Sequence, residues 1–268
     1  MIRHDLSKKI VFLRLNRLDY VPSGLYAAEI LTEGGYDTLA IEYGFFQKGQ
    51  EEENGKVARL RLGHPWLRKL PSFLRAPLLH SLAALRIFSL FLRRGRPKLL
   101  IAQGLHEQAI AWILSRILRF PYAVHVHEVF EKNELRGWNR FFFLIEGVVL
   151  RAAVFTIFPQ AQRAHIYQAR YRLKNPSYLA FNCPRKKTTI PLPTNWRAKL
   201  GLPDGSFLLG YWGGQGRTNG LDQAIRAVAR LPRVYFLLWG WSSAEDRAYF
   251  KHLATGVGAG HRVLFLGD

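Results

Sequence analysis

Four short motifs in this chain combine side chains and backbone of the kinds that handle anions, hydroxyls and protons. His127 and Glu128 follow the apolar run Tyr122–Val126. An imidazole placed there can donate a hydrogen bond to a sugar hydroxyl or to developing charge, and the neighbouring carboxylate can accept one or orient the loop. Gly213-Gly214-Gln215-Gly216-Arg217 would let a phosphate approach the backbone, with a guanidinium fork and a helix start beside it. Pro22-Ser23-Gly24 suits a tight strand-to-helix turn with free N–H groups. Gly104-Leu105-His106 offers a second turn with a second histidine. Each has a plain alternative: a structural turn, a glycine loop with an exposed arginine, a histidine that only packs. His125, on the same strand face as His127, reads as buried support. No Gly-x-Gly-x-x-Gly follows the first strand, which argues against a nicotinamide dinucleotide.

The elements that must position these residues alternate along the chain. Strands are expected at Ile10–Leu15, Tyr36–Tyr43, Lys98–Gln103, Tyr122–Val126, Val154–Phe158 and Ser177–Phe181. Helices are expected at Leu25–Gly34, Glu107–Leu118, Trp138–Arg151 and Ala161–Tyr171. A second series runs through strands Phe207–Trp212, Val234–Trp239 and Val263–Leu266 with helices at Gly220–Leu231 and Ala244–Thr255. Such spacing predicts an α/β chain of two Rossmann-like, doubly wound parallel-sheet domains. The domains would span 1–183 and 206–268, joined by a proline- and lysine-rich linker at 184–205. The second series stops before both faces of a sheet would be covered, so that domain is expected to be incomplete. Ligands sit at the carboxyl ends of strands in open parallel sheets. All four motifs fall there and are expected to line one cleft.

The charge is strongly one-sided: 39 Lys and Arg against 19 Asp and Glu, a formal net charge of +20. Between Asn54 and His106 there is no Asp or Glu, while Arg75, Arg86, Arg93, Arg94 and seven other cations interleave with Trp66, Phe73, Phe88 and several leucines. Pro77 suits a first helical turn, and a helix from there puts Arg86 and Arg93 on one face, with Arg75 just before it. This pattern fits an anionic lipid surface, each nearby cation adding about 1 kcal/mol. It equally fits a solvated face over a core. Nucleic acid is disfavoured, because no helix-turn-helix, zinc spacing or RNA-binding aromatic motif supplies readout. Arg86 interrupts the apolar stretch at 78–92, and Glu146 and Arg151 interrupt that at 141–158, so no membrane crossing is expected. The N-terminal apolar run is too short for a signal peptide. The single cysteine, Cys183, can form neither an internal disulfide nor a thiolate metal site, which fits a reducing compartment.

Taken in order, the segments SGLYAAEILTEGGYDTLAIEY (Ser23–Tyr43), PKLLIAQGLHEQAIAWILSRILRFPYAVHVHEVFE (Pro97–Glu131), LAFNCP (Leu179–Pro184) and LLGYWGGQGRTNGLDQAIRAVARLP (Leu208–Pro232) resemble glycosyltransferases of the GT-B fold, most closely family 4. The resemblance implies transfer of a sugar, with retention, from a nucleoside-diphosphate sugar to a lipid-linked or glycan-precursor acceptor. It implies the nucleotide-sugar as substrate, with no cofactor and no bound metal, and work on the cytoplasmic side as a peripheral protein of the inner membrane face. By position, His127 and Glu128 would be catalytic, and Ser23, Gly24 and His106 would belong to the acceptor and donor cleft. Gly213, Gly214 and Arg217 would line the diphosphate pocket, with Gly240 near the nucleotide. Two departures are visible. Asn219 stands where many relatives carry lysine, and the paired-carboxylate donor motif belongs downstream of Asp268. The alternative is therefore a non-catalytic, basic half enzyme that docks on a membrane or a partner.

Overall fold

The computed structural model describes residues 5–20, 22–46, 50–52, 57–129, 138–183 and 194–266. It divides into two compact units, Met1–Lys187 and Thr188–Asp268. In the first unit β1 (Ile10–Leu15), α1 (Pro22–Glu33), β2 (Thr38–Gly44), β3 (Gln50–Glu52), β4 (Ala58–Gly63) and α2 (Ser72–Arg94) are followed by β5 (Leu99–Ala102), α3 (Leu105–Leu118), β6 (Tyr122–His125), α4 (Trp138–Ala152), β7 (Thr156–Phe158), α5 (Ala161–Tyr171) and β8 (Ser177–Leu179). The strands form one sheet in the order β3-β4-β2-β1-β5-β6-β7-β8. All neighbours run parallel except β3, which is antiparallel to β4.

Strand residues alternate between the two faces, as the period of two requires. Val11, Leu13, Ile41, Leu100 and Val124 enter a large core with Leu79, Ala83, Ile87 and Phe91 of α2, Leu114 of α3 and Val149 of α4. Ile10, Phe12, Ala40, Ile101 and Ala123 pack on the other face with Ala28 of α1. The residues that follow on that second face are polar: Arg14, Glu42, Gln103 and His125. Glu42 is fully buried. Its carboxylate accepts the Leu18 N–H at 2.7 Å and Arg61 Nε at 2.8 Å, while Arg59 bonds Asp19 at 2.9 Å. Two of the cations read from sequence as part of a one-signed field are thus already neutralised inside the unit. Alternating Leu60 and Leu62 with Arg59 and Arg61 is the signature of β4, a strand missing from the sequence expectations.

Helix α2 corrects two further expectations. It starts at Ser72, so Pro77 lies inside it rather than in its first turn. Arg75 turns back to donate Nη2 to the carbonyls of Arg68 and Leu70, at 3.1 and 2.9 Å. Moreover, Phe73–Arg94 is long and apolar enough to cross a membrane by length and composition. Arg86 does not prevent this, contrary to the reading of 78–92. In the first unit this helix sets its Leu79-Ala83-Ile87-Phe91 stripe into the core.

The second unit holds α6 (Trp196–Leu200), β9 (Phe207–Trp212), α7 (Leu221–Ala229), β10 (Val234–Trp239), α8 (Ala244–Gly256) and β11 (Val263–Phe265), with β10 central in a three-stranded parallel sheet. Helices α7 and α8 share one core with Phe236, Leu238 and Val263. On the opposite face Trp196 of α6 meets Trp239 edge-on at 5.0 Å. Part of the stretch assigned to a linker therefore forms a helix belonging to this unit; residues 184–193 lie outside the described residues.

Candidate functional site

In the first unit the polar groups gather where β1, β5 and β6 end. Arg14 is the last residue but one of β1, and its Nη1 donates to the Gln103 carbonyl. Gln103 directly follows β5 and is fully buried, yet neither its Oε1 nor its Nε2 has a partner. It lies against Gly24, where an added Cβ would come within 2.4 Å of its amide. This corrects the role read for Gly24. It sits inside α1 with ordinary helical backbone, and being a glycine lets the helix press onto Gln103.

His125, at the end of β6, is also fully buried, with neither ring nitrogen partnered. Burial, reinforced by Arg14, pushes its pKa down to about 4. His127 lies next to it, ring centroids 4.2 Å apart. Burial and the charges of His125, Arg14 and Arg163 press the His127 pKa down to about 2. It is a neutral imidazole at any physiological pH, with Nδ1 3.4 Å from Ser23 Oγ and Nε2 unpartnered. Ser23 and His127 thus meet, as the sequence suggested, while Glu128 is exposed and uses its carbonyl to accept the Tyr167 hydroxyl at 3.1 Å.

His106 is in a different arrangement. It stacks on His80 at 3.9 Å, and His80 Nδ1 is 2.9 Å from the buried Tyr43 hydroxyl. Burial and His106 hold the His80 pKa down to about 3. Glu107, next in the chain, is buried and turns back over the start of its own helix, accepting the Leu15 N–H at 2.5 Å. Burial raises its pKa against the opposing pull of Arg14 and the N–H groups of Glu107, Leu15 and His106.

These residues enclose a cavity of about 240 Å³, lined by Arg14, His106, Gln108, His125, His127 and Glu146 among others. Glu146, on α4, is buried; Tyr171 donates to it at 2.6 Å and Gln108 Nε2 at 3.2 Å. Burial keeps its pKa raised against those donors. A wider cavity of about 820 Å³ adjoins it through Arg14, His127 and Glu128, which line both. Sequence reading missed Arg14, Gln103, Gln108 and Glu146 as site residues. The signal for the first two was available, since each is a polar side chain at the carboxyl end of an otherwise apolar run.

The second unit presents a pinned loop. Gly240 has φ 128°, and a Cβ there would lie 2.3 Å from the Gly213 carbonyl oxygen, so the turns after β9 and β10 touch backbone to backbone. The Gly214 carbonyl accepts from Tyr211 Oη at 2.8 Å and Asn219 Nδ2 at 2.5 Å. The N–H groups of Gly213 and Gln215 bond to the carbonyls of Trp239 and Trp241, whereas those of Gly214 and Gly216 have no partner among the described residues. Arg217 is not the free fork expected from sequence. Its Nε bonds Asp246 at 3.0 Å, its Nη2 bonds Glu245 at 2.9 Å, and its guanidinium lies 4.5 Å over the Tyr249 ring. Among the described residues, no group of three or more His, Cys, Asp or Glu side chains is placed to hold a metal ion.

No protein-family model matches the chain, and no curated protein sequence matches it. Solved structures do. A sucrose-phosphate synthase from Thermosynechococcus elongatus superposes with a TM-score of 0.74 at 18% identity, covering 97% of this chain and 70% of that one. Anabaena HepE in complex with UDP-glucose gives 0.68 at 18% identity, covering 97% and 68%. The lipopolysaccharide outer core galactosyltransferase WaaB gives 0.55 at 14% identity, covering 97% and 68%. At such identities the likeness establishes the fold: the chain has the α/β architecture of the GT-B glycosyltransferases, two Rossmann-like units over about 70% of the length of those proteins.

Proposed function

We propose that this chain is a glycosyltransferase that takes a sugar from a nucleoside-diphosphate donor and passes it, with retention, to a glycan-precursor acceptor. The observation that carries this is the set of unpartnered polar atoms, both on the Gln103 amide, both on the His125 ring and Nε2 of His127, at strand ends of the first unit, in a fold shared with a protein crystallised with UDP-glucose. Buried donors and acceptors without partners are costly, about 1–3 kcal/mol each. A hydroxyl-rich ligand would satisfy them. A neutral His127 suits hydrogen bonding to a sugar hydroxyl, since it neither repels the cationic sugar-like transition state nor changes charge near neutral pH.

In the second unit the free N–H groups of Gly214 and Gly216, with the start of α7, would receive the leaving diphosphate. Arg217 is already matched by two carboxylates, so the backbone would do most of this work. Calorimetry with UDP and turnover with UDP-sugars test the reading. His127→Ala is expected to lower turnover at least about a hundredfold and to leave UDP affinity unchanged. A wild-type protein that binds no UDP and turns over no nucleotide-sugar would sink it.

We further infer that the enzyme works at the cytoplasmic face of an anionic membrane. The outward side of α2 carries Leu78, Leu85 and Leu92 at heptad spacing, 38%, 64% and 61% exposed, directly beside exposed Arg86 and Arg93. Two exposed isoleucines of α3 and Leu144 and Val148 of α4 extend the apolar character. The acidic residues of these three helices, Glu107 and Glu146, are both buried. Leucine contact with cations alongside is what headgroup binding requires. The triple variant Leu85→Ser, Leu92→Ser, Arg93→Ser should sediment far less with vesicles containing anionic lipid. Equal sedimentation would leave a solvated face.

A further inference from the structure

We propose that the smaller cavity of the first unit binds a sugar ring that carries an amino group, with the ammonium held by Glu146 and Gln108. Calling that ring the acceptor rests on the glycosyltransferase reading; the site itself does not. The cavity measures about 240 Å³, below the roughly 300–1,000 Å³ of sites for drug-sized ligands, so it suits a single ring. Its charge runs against that of the chain. The net charge of the protein is +20, yet this space is lined by two buried carboxylates, Glu107 and Glu146, and the exposed Glu128, with Arg14 as the opposing arginine.

Only one of the two buried carboxylates has its charge answered. Glu107 stands in the first turn of α3, where the helix dipole favours an anion. Arg14 and the N–H groups of Glu107, Leu15 and His106 all work against the effect of burial on it. Glu146, 2% exposed, stands in the interior of α4, away from both helix ends. It joins no ion pair among the described residues. Its hydrogen-bond partners are neutral: Gln108 Nε2 and the Tyr167 hydroxyl donate to Oε1 at 3.2 and 3.3 Å, and the Tyr171 hydroxyl donates to Oε2 at 2.6 Å. Burial holds its pKa up in spite of them, and Arg170 exerts the weakest pull in the other direction. A cation entering the cavity would supply the charge that this carboxylate lacks.

Gln108 selects the kind of cation. Because its Nε2 donates to Glu146, the atom left over is its oxygen, and that oxygen is buried with no donor. Gln108 itself is 3% exposed and lines the same cavity. An ammonium group has three N–H donors and accepts nothing, whereas a hydroxyl has a single proton to give. The ammonium therefore matches a carboxylate and an amide oxygen that both want donors. Arg14 does not compete for them, since it is bonded to the Gln103 carbonyl and offsets Glu107. Nor do the histidines, whose burial keeps His125 at about 4 and His127 at about 2. Their unpartnered nitrogens remain for the hydroxyls of the ring. A metal ion fits less well, because no group of three or more His, Cys, Asp or Glu side chains among the described residues is placed to hold one.

The test uses the whole chain, at a pH where the amino group is charged. Glucose, 2-amino-2-deoxyglucose, 6-amino-6-deoxyglucose and the N-acetylated form of each aminosugar are titrated calorimetrically into the wild type and Glu146→Gln, with thermal unfolding to confirm that both are folded. In the wild type at least one aminosugar should bind about tenfold more tightly than glucose, and its acetylated form should lose that advantage. Glu146→Gln keeps the shape and removes the charge, so it should bring the aminosugar down to the level of glucose. Equal affinity for glucose and both aminosugars in the wild type overturns the site, as does a preference that survives Glu146→Gln unchanged. Should that variant fail to fold, the acetylated sugar decides alone: affinity equal to that of the free amine overturns the site. UDP is titrated into the wild type as well. A preference for the amine without UDP binding keeps the site and dismisses the glycosyltransferase reading, and UDP binding without the preference does the reverse.

Discussion

The two units end their strands in opposite ways. In the first, the strand ends of β1, β5 and β6 hold Gln103, His125 and His127 with polar atoms that bond to nothing. In the second, the turns after β9 and β10 are tied by Tyr211, Asn219 and Gln215 to carbonyls of the same turns. The first stores unused hydrogen-bonding capacity in side chains, which under the proposed function would meet a hydroxyl-rich ligand. The second fixes its backbone and leaves two N–H groups free, a geometry that suits one kind of group, a phosphate.

The largest way to break the comparison is at its glycines. Gly240→Ala puts a methyl group 2.3 Å from a backbone oxygen at φ 128°, where neither atom can yield. A loss of about 3 kcal/mol or more in the second unit is expected. Gly24→Ala meets the end of a side chain, the Gln103 amide at 2.4 Å, and should cost about 1–3 kcal/mol. The two also differ in rescue. Gln103→Ala should recover most of the Gly24→Ala loss in a double-mutant cycle, read by hydrogen exchange of β5 amides. If Gly24→Ala costs as much in the Gln103→Ala background, the close approach is not the reason for that glycine.

Acid provides the second test, because the depressed histidines are in the first unit. His125 binds protons at about pH 4 when folded and near 6.5 when unfolded. Its contribution is therefore complete above about pH 6.5 and is lost as pH falls toward 4. Glu107 and Glu146, raised by burial, run the other way, so the His125 share must be read as a difference. His125→Leu should flatten the decline of first-unit stability between pH 6.5 and 4.5 by on the order of 2 kcal/mol. Parallel pH profiles for wild type and variant would show that His125 is not neutral and buried as drawn.

Much of this contrast was visible in the chain. The alternation of apolar runs located six of the eight strands of the first sheet, missing β3 and β4, and the glycine turns marked where the second unit's loops lie. What escaped was whatever depends on a partner distant in sequence. Arg59 and Arg61 looked like free charge because their partners, Asp19 and Glu42, come from elements far upstream. Gly24 looked like a turn because Gln103, its reason for being small, lies in another strand. The same local signals that hid β4 are plain in hindsight: a leucine–arginine alternation reads as a basic patch until a buried carboxylate is found across the sheet. Helix α2 shows the limit from the other side. Its composition passes for a membrane span, and only its packing shows that one stripe belongs to the core.

Arg217 gives the smallest effect and the sharpest distinction. Read alone, an arginine after a glycine loop invites a phosphate, and its removal would weaken nucleotide binding by the strength of a charge-assisted bond. In the structure it holds the amino end of α8 through Glu245 and Asp246 and lies over Tyr249. Its side chain is 49% exposed, where such pairs contribute about 0–1 kcal/mol. Arg217→Ala should therefore lower second-unit stability by less than about 1 kcal/mol and change UDP affinity by less than about threefold, well under a tenfold step. A tenfold or larger loss of UDP affinity would mean that Arg217 leaves its carboxylates to meet the donor. The second unit's site would then be no more fixed than the first, and the contrast between them would fail.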